Sequence, residues 1–102
     1  MGLTALPQMA LAAGSSNTCK IRVCPVTGRN FPGGTISVDA DSGGTADTAF
    51  WGLTDSTSPN PRCSATFSTE GGVRSWTCSG IHAGTVTVIL TGPAPLAIGV
   101  RW

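Results

Sequence analysis

From about Asn17 onward, apolar and polar residues alternate in short runs separated by Gly, Pro, Asn and Asp clusters, the pattern of half-buried strands joined by tight turns. Residues 18–24 put Ile21 and Val23 on one face and Lys20 and Arg22 on the other. The stretch PVTGRNFPGG reads as a connection, leading to residues 35–40, where Ile36, Val38 and Ala40 share a face. In residues 48–53, Phe50 and Trp51 are neighbours and so point to opposite faces, which leaves one of them exposed. LTDSTSPNPR is irregular, because Pro59 and Pro61 exclude a central strand. CSATFSTEGGVRSWTC supplies the fourth and fifth strands, residues 85–91 the sixth, with Val86, Val88 and Leu90 inward and Ile89 outward, and residues 96–102 the seventh. These runs predict an all-β fold, a single seven-stranded antiparallel β-sandwich spanning residues 17–102.

Cysteine placement adds covalent staples. A turn centred between Glu70 and Gly71 sets Cys63 opposite Cys78, Ala65 opposite Trp76 and Phe67 opposite Arg74, so both sulfurs fall on the apolar face of a hairpin. Directly opposed cysteines come within bridging distance, and closing this loop contributes about 3 kcal/mol in the chain-entropy description. Cys19 and Cys24 lie on opposite faces of a regular strand and can bridge only if CKIRVC curls. The favoured pairing is Cys63 with Cys78 and Cys19 with Cys24; the rival is a staple between sheets, in which Cys19 and Cys24 each take one of the other two.

The first sixteen residues, MGLTALPQMALAAGSS, are apolar and uncharged. Ala10-Leu11-Ala12 offers the small-x-small pattern cut by signal peptidase, which makes residues 1–16 a signal-peptide remnant. The missing basic n-region and Pro7 leave a second reading open. A retained arm carrying Leu3, Met9 and Leu11 would pair with the sheet edge of a neighbouring copy, giving a homo-oligomer or an extracellular filament built by strand complementation. Either reading implies a secreted or cell-surface protein, and four cysteines in a 102-residue chain suit that oxidising setting. No apolar run is long enough for a transmembrane segment.

Composition removes several classes of function. Charged residues are 11% and the formal charge is +1, so no basic surface for nucleic acid is present. Catalytic signatures are missing as well: there is no nucleophile-elbow motif, the single histidine, His82, sits in a turn, and Glu70 sits at a hairpin tip as a soluble turn residue. No enzyme and no cofactor are expected. The spacing of the cysteines fits neither a zinc knuckle nor a redox CxxC. For metals, the candidate is calcium at Asp39, Asp41 and Asp47 in DADSGGTAD, because hard cations need several oxygens around a permissive turn. For ligands, the candidates are Trp51 and Phe50, since an exposed ring offers a flat apolar face to a sugar or to a partner's side chain.

PVTGRNFPGGTISVDA, GIHAGTVTV and the LTDS turn together resemble the opening, closing and central segments of bacterial immunoglobulin-like and carboxypeptidase-regulatory-like (transthyretin-like) domains. That resemblance covers roughly residues 18–92, implies a seven-stranded immunoglobulin-like or prealbumin-like sandwich, and brings no catalytic residues. It implies a non-catalytic adhesive, spacer or accessory module with a protein or glycan partner; the alternatives are the filament subunit and a carbohydrate-binding module using an exposed Trp.

Overall fold

A computed structural model of the chain describes residues 13–102. Eight strands run in chain order as β1 (Gly14–Cys19), β2 (Val23–Phe31), β3 (Gly34–Ser42), β4 (Thr48–Thr54), β5 (Cys63–Ser68), β6 (Arg74–Ile81), β7 (Gly84–Thr91) and β8 (Leu96–Arg101). They form two four-stranded sheets, ordered β1-β8-β3-β6 and β2-β7-β4-β5, with every pairing antiparallel. The fold is therefore the all-β, two-sheet antiparallel sandwich that the alternation predicts, closed by the two predicted disulfides, Cys19–Cys24 and Cys63–Cys78.

Each inward face follows the period of two. Ile36, Val38 and Ala40 of β3, Val86, Val88 and Leu90 of β7, and Leu96, Ile98 and Val100 of β8 are all buried. Ile89 points out, as predicted. Trp102 closes one end, its ring edge-on to Phe31 at a centroid distance of 5.3 Å.

Strand number and connectivity differ from the sequence reading in three places. Residues 18–24 are not one strand: β1 ends at Cys19, β2 starts at Val23, and the two belong to different sheets. Five residues of extended strand would hold the Cα atoms about 16 Å apart. The Cys19–Cys24 bridge holds them at 5.6 Å, so the CKIRVC segment curls from one sheet to the other and leaves Ile21 at its tip. The eighth strand is β1, which hydrophobic alternation could not show because GSSNTC has none. Its start at Gly14 moves the beginning of the sandwich ahead of residue 17, and Ala13 exchanges two backbone hydrogen bonds with Trp102 of its own chain, at 2.9 and 3.3 Å. Leu3, Met9 and Leu11, on which the strand-complementation reading rests, lie outside the described residues, as does the signal-peptide cleavage site before Ala13.

In the second place, PVTGRNFPGG is not a connection for most of its length. Pro25 to Phe31 belongs to β2, with Val26 and Phe31 inward and a register shift between Gly28 and Phe31. β2 is an edge strand, a setting in which a strand tolerates a proline that lacks its N–H.

The third correction is the largest. β5 and β6 do not form a hairpin; β5 pairs with β4 at the edge of one sheet, and β6 pairs with β3 at the edge of the other. Glu70 to Val73 carry the chain across the gap, with Gly71 and Gly72 at φ of 100° and 76°, a conformation glycine adopts without a Cβ penalty. An arch and a hairpin place the same residues inward, so alternation alone does not separate them. The hairpin register would have set Arg74 against Phe67, whereas the arch pairs Phe67 with Ala49 and Arg74 with Ala40 in separate sheets.

Each disulfide thus clips one lateral edge of the sandwich. Cys19–Cys24 joins β1 to β2, and Cys63–Cys78, with its Cα atoms 6.1 Å apart, joins β5 to β6. Beside the second clip the Trp76 ring packs against Trp51 and Phe67, with centroids 5.3 and 5.1 Å away.

Candidate functional site

Strand β4 divides the two aromatic candidates. Ala49, Trp51 and Leu53 turn into the core and Thr48, Phe50, Gly52 and Thr54 turn out. Trp51 is 0% exposed, which corrects its expected role as a ligand contact: the larger ring fills the core and the smaller one, Phe50 at 43%, faces outward. Among the described residues the indole Nε1 has no hydrogen-bond partner, and Trp51 serves by its volume.

Phe50 belongs to a coherent surface. Strand register lays the outward residues of the second sheet in rows: Val23, Thr91, Phe50 and Thr66; then Pro25, Ile89, Gly52 and Ser64; then Thr27, Thr87 and Thr54. None of these side chains carries a charge; the nearest strand charge is Arg29, at the bulged end of β2. Val23, Phe50 and Ile89, three of the five exposed large hydrophobic residues among those described, all lie on this face. The outer face of the first sheet is different in kind. There Arg101 donates two hydrogen bonds to Asp39, at 2.6 and 2.8 Å, and the Ser75 hydroxyl donates a third at 2.5 Å. The Arg101 hydrogen bonds hold the Asp39 carboxyl below its usual range, against a smaller opposing effect of burial.

At the centre of the uncharged face lies a groove of about 240 Å³, lined by Phe50, Gly52, Pro59, Pro61, Thr87 and Ile89 among others. Above Gly52 it forms a slot: a Cβ placed there would sit 3.4 Å from Cγ of Pro61 and 3.7 Å from Cε2 of Phe50. Two rings form the walls and the missing side chain leaves the space between them. Because those distances are ordinary van der Waals contacts, an alanine fits, and Gly52→Ala is expected to raise stability by about 0.5–1 kcal/mol, measured by chemical denaturation.

The proline wall is held by a buried carboxylate. Asp55 begins the irregular loop, its side chain fully buried. The Thr57 hydroxyl and N–H donate to its Oδ1 at 2.5 and 2.9 Å, and the His82 N–H donates to Oδ2 at 3.1 Å. Arg62 sits 3.3 Å from Oδ2 at the far end of the loop, where its own N–H donates to the Leu53 carbonyl at 2.7 Å. The Thr57 hydroxyl, then the His82 and Thr57 N–H groups and the Arg62 charge, hold the Asp55 carboxyl far below the usual range, outweighing the desolvation that raises it. A carboxyl whose pKa is depressed on folding stabilises the fold fully above its unfolded pKa of about 4 and loses that contribution as pH falls toward the folded value. Thermal melts recorded from neutral pH downward should therefore show a flat plateau that breaks below about pH 4, and Asp55→Asn should lower the plateau and soften the break.

The remaining candidates do not converge. Asp39 is engaged by Arg101 and Ser75, and Asp47 Oδ1 accepts the Thr48 N–H at 2.8 Å. Asp41 lies two residues along β3 from Asp39, and among the described residues no three His, Cys, Asp or Glu side chains form a group able to hold a metal ion, so the calcium candidates Asp39, Asp41 and Asp47 are not brought together. His82 is exposed in the β6–β7 turn and contributes its backbone N–H rather than its ring. Sequence reasoning missed Gly52, Ile89 as a groove residue, and Asp55. The only signal for them was the proline-rich loop directly after an outward Phe.

No family model and no curated protein matches the chain, so the resemblance to immunoglobulin-like and transthyretin-like domains holds at the level of the sandwich alone. Among solved structures, the chain is similar to PliG of Aeromonas hydrophila, a periplasmic inhibitor of g-type lysozyme, with 12% identity and a TM-score of 0.55 over 89% of this chain and 86% of that one. It is also similar to a protein of the disulfide-linked pili that form Bacillus endospore appendages, with 12% identity and a TM-score of 0.46 over 89% and 87%. A third is the carbohydrate-binding module TmCBM61 in complex with β-1,4-galactotriose, with 16% identity and a TM-score of 0.49 over 87% of this chain and 62% of that one. At such identities the likeness to PliG is one of fold: a two-sheet sandwich is what this chain is similar to.

Proposed function

We propose that the protein is an extracytoplasmic, non-catalytic binding module that docks its partner on the outer face of the second sheet. The observation that carries this reading is the uncharged surface around Phe50 and Ile89, with a ring-walled slot above Gly52. Specific interfaces are depleted of charge at their centre, and large exposed apolar residues gathered on one face mark a docking site more often than scattered ones do. Both disulfides are formed and no cysteine is free, which fits an oxidising compartment outside the cytoplasm, at the cell surface or beyond it. A non-catalytic role is supported by the chemistry of this face, whose outward polar groups among the described residues are Thr and Ser hydroxyls, while the nearby Asp55 carboxylate is buried and taken up by Thr57, the His82 N–H and Arg62.

The reading is tested by panning a displayed peptide library and a glycan array with the wild-type protein and with Gly52→Val, which fills the slot. Binders selected by the wild type should be lost in the variant while its melting temperature is held or raised. Binders indifferent to both Gly52→Val and Phe50→Ser would place the docking site elsewhere. In this scheme a carbohydrate-binding role would use Phe50, not Trp51.

A further inference from the structure

We infer that the occupant of this face is a second copy of the same chain; the inference rests on the reading of the outer face of the second sheet as a docking surface. Charge comes first. A surface that meets its own copy must not repel itself, and the three rows from Val23 to Thr66, Pro25 to Ser64 and Thr27 to Thr54 hold no charged side chain. The opposite face, with Asp39, Asp41 and Arg101, would set like charges against each other in many registers.

Shape comes second. A two-fold interface uses one patch twice, so the patch must carry both the projecting part and the part that receives it. Here β7 runs between β2, which projects Val23 and Pro25, and β4, which carries Phe50 and the slot above Gly52. Val23 lies in the same row as Phe50, and Pro25 in the same row as Gly52. A two-fold axis lying along β7 therefore lays β2 of each copy over β4 of the other. Val23 and Pro25 then meet Phe50 and the slot, while Ile89, on β7 itself, meets its own counterpart.

Size sets the strength. With the axis along β7 only β2, β7 and β4 overlap, and three strands about 4.8 Å apart and about six residues long give roughly 300 Å² of sheet per copy, well under half of what each partner contributes to a standard interface. Association should be reversible and strongly dependent on concentration. Because it is apolar, added salt should not weaken it.

Sedimentation equilibrium and a dilution series of amide NMR spectra on the full chain test this, with wild type, Gly52→Val and Val23→Lys. The wild type is expected to move from monomer to dimer mass as concentration rises, with dilution shifts confined to β2, β7 and β4. Each variant should weaken association by about tenfold or more while remaining folded by its own NMR dispersion. A monomer at every concentration overturns self-docking, and the docking surface itself then stands or falls by the peptide and glycan panels. Dimerisation that both variants leave unchanged, or that moves amides of the first sheet, overturns the inference by placing the contact elsewhere.

Discussion

Trp51→Ala destabilises the fold by about 3–5 kcal/mol in urea or guanidinium denaturation, the range for removing a large aromatic ring from a packed core. Trp51 is fully buried on β4 and packs at 5.3 Å from Trp76, which in turn packs against Phe67 beside the Cys63–Cys78 clip. Alanine leaves the space of the indole open, and the two remaining rings lose the surface that holds them. Its neighbour gives the contrast: Phe50→Ala removes a ring that is 43% exposed and should cost well under half as much. Loss of binding in Trp51→Ala would therefore report unfolding rather than a lost ligand contact. Phe50 and Gly52 are the positions at which binding and stability separate. A measured cost for Trp51→Ala no larger than that for Phe50→Ala would contradict the inward assignment of the indole.

The difference between those two neighbours marks what the pattern of residues carries and what it omits. Alternation shows that one of Phe50 and Trp51 faces out, and it places Val86, Val88, Leu90 and Ile89 correctly, because period two reports a face directly. It does not say which ring is inside; that depends on the space between two sheets, filled here by Trp51, Trp76 and Phe67 together. Sheet membership is equally silent. Cys63, Ala65, Phe67, Trp76 and Cys78 would share one side of a hairpin, or face each other across an arch, with the same alternation. β1 escaped notice for the opposite reason: at a sheet edge its polar residues reach partners sideways, as Asn17 does in donating to the Pro25 carbonyl at 2.8 Å, so no apolar period is required. The docking face is legible only in part. Phe50 and the prolines stand out in the sequence, but the slot is an absence of side chain at Gly52, and it becomes a feature only when the loop from Asp55 folds back and brings Pro61 over the strand.

Removing the Cys63–Cys78 clip, as Cys63→Ala with Cys78→Ala, should cost about 3 kcal/mol, and removing Cys19–Cys24 in the same way about 2 kcal/mol, because the entropy restored to the unfolded chain grows with the length of the closed loop. The sequence separations are 15 and 5 residues, so the order of the two melting temperatures is set before any packing is considered. Packing acts in the same direction. The longer loop carries the chain from β5 in one sheet to β6 in the other, and its bridge lies beside the Trp76 and Phe67 rings, so its loss also lets the two sheet edges part over the aromatic cluster. Hydrogen exchange distinguishes this from a hairpin. In a hairpin, β5 and β6 would protect each other's amides, and cutting the disulfide would leave that ladder in place. In the arch, each strand is an edge bonded to one neighbour only, β5 to β4 and β6 to β3, so amides on the open side of both should exchange rapidly even in the wild type. In the double alanine variant the remaining amides of β5 and β6 should lose protection together while those of β7 and β8, central in their sheets, keep it. Retained mutual protection between Ala65 and Trp76 would instead restore the hairpin.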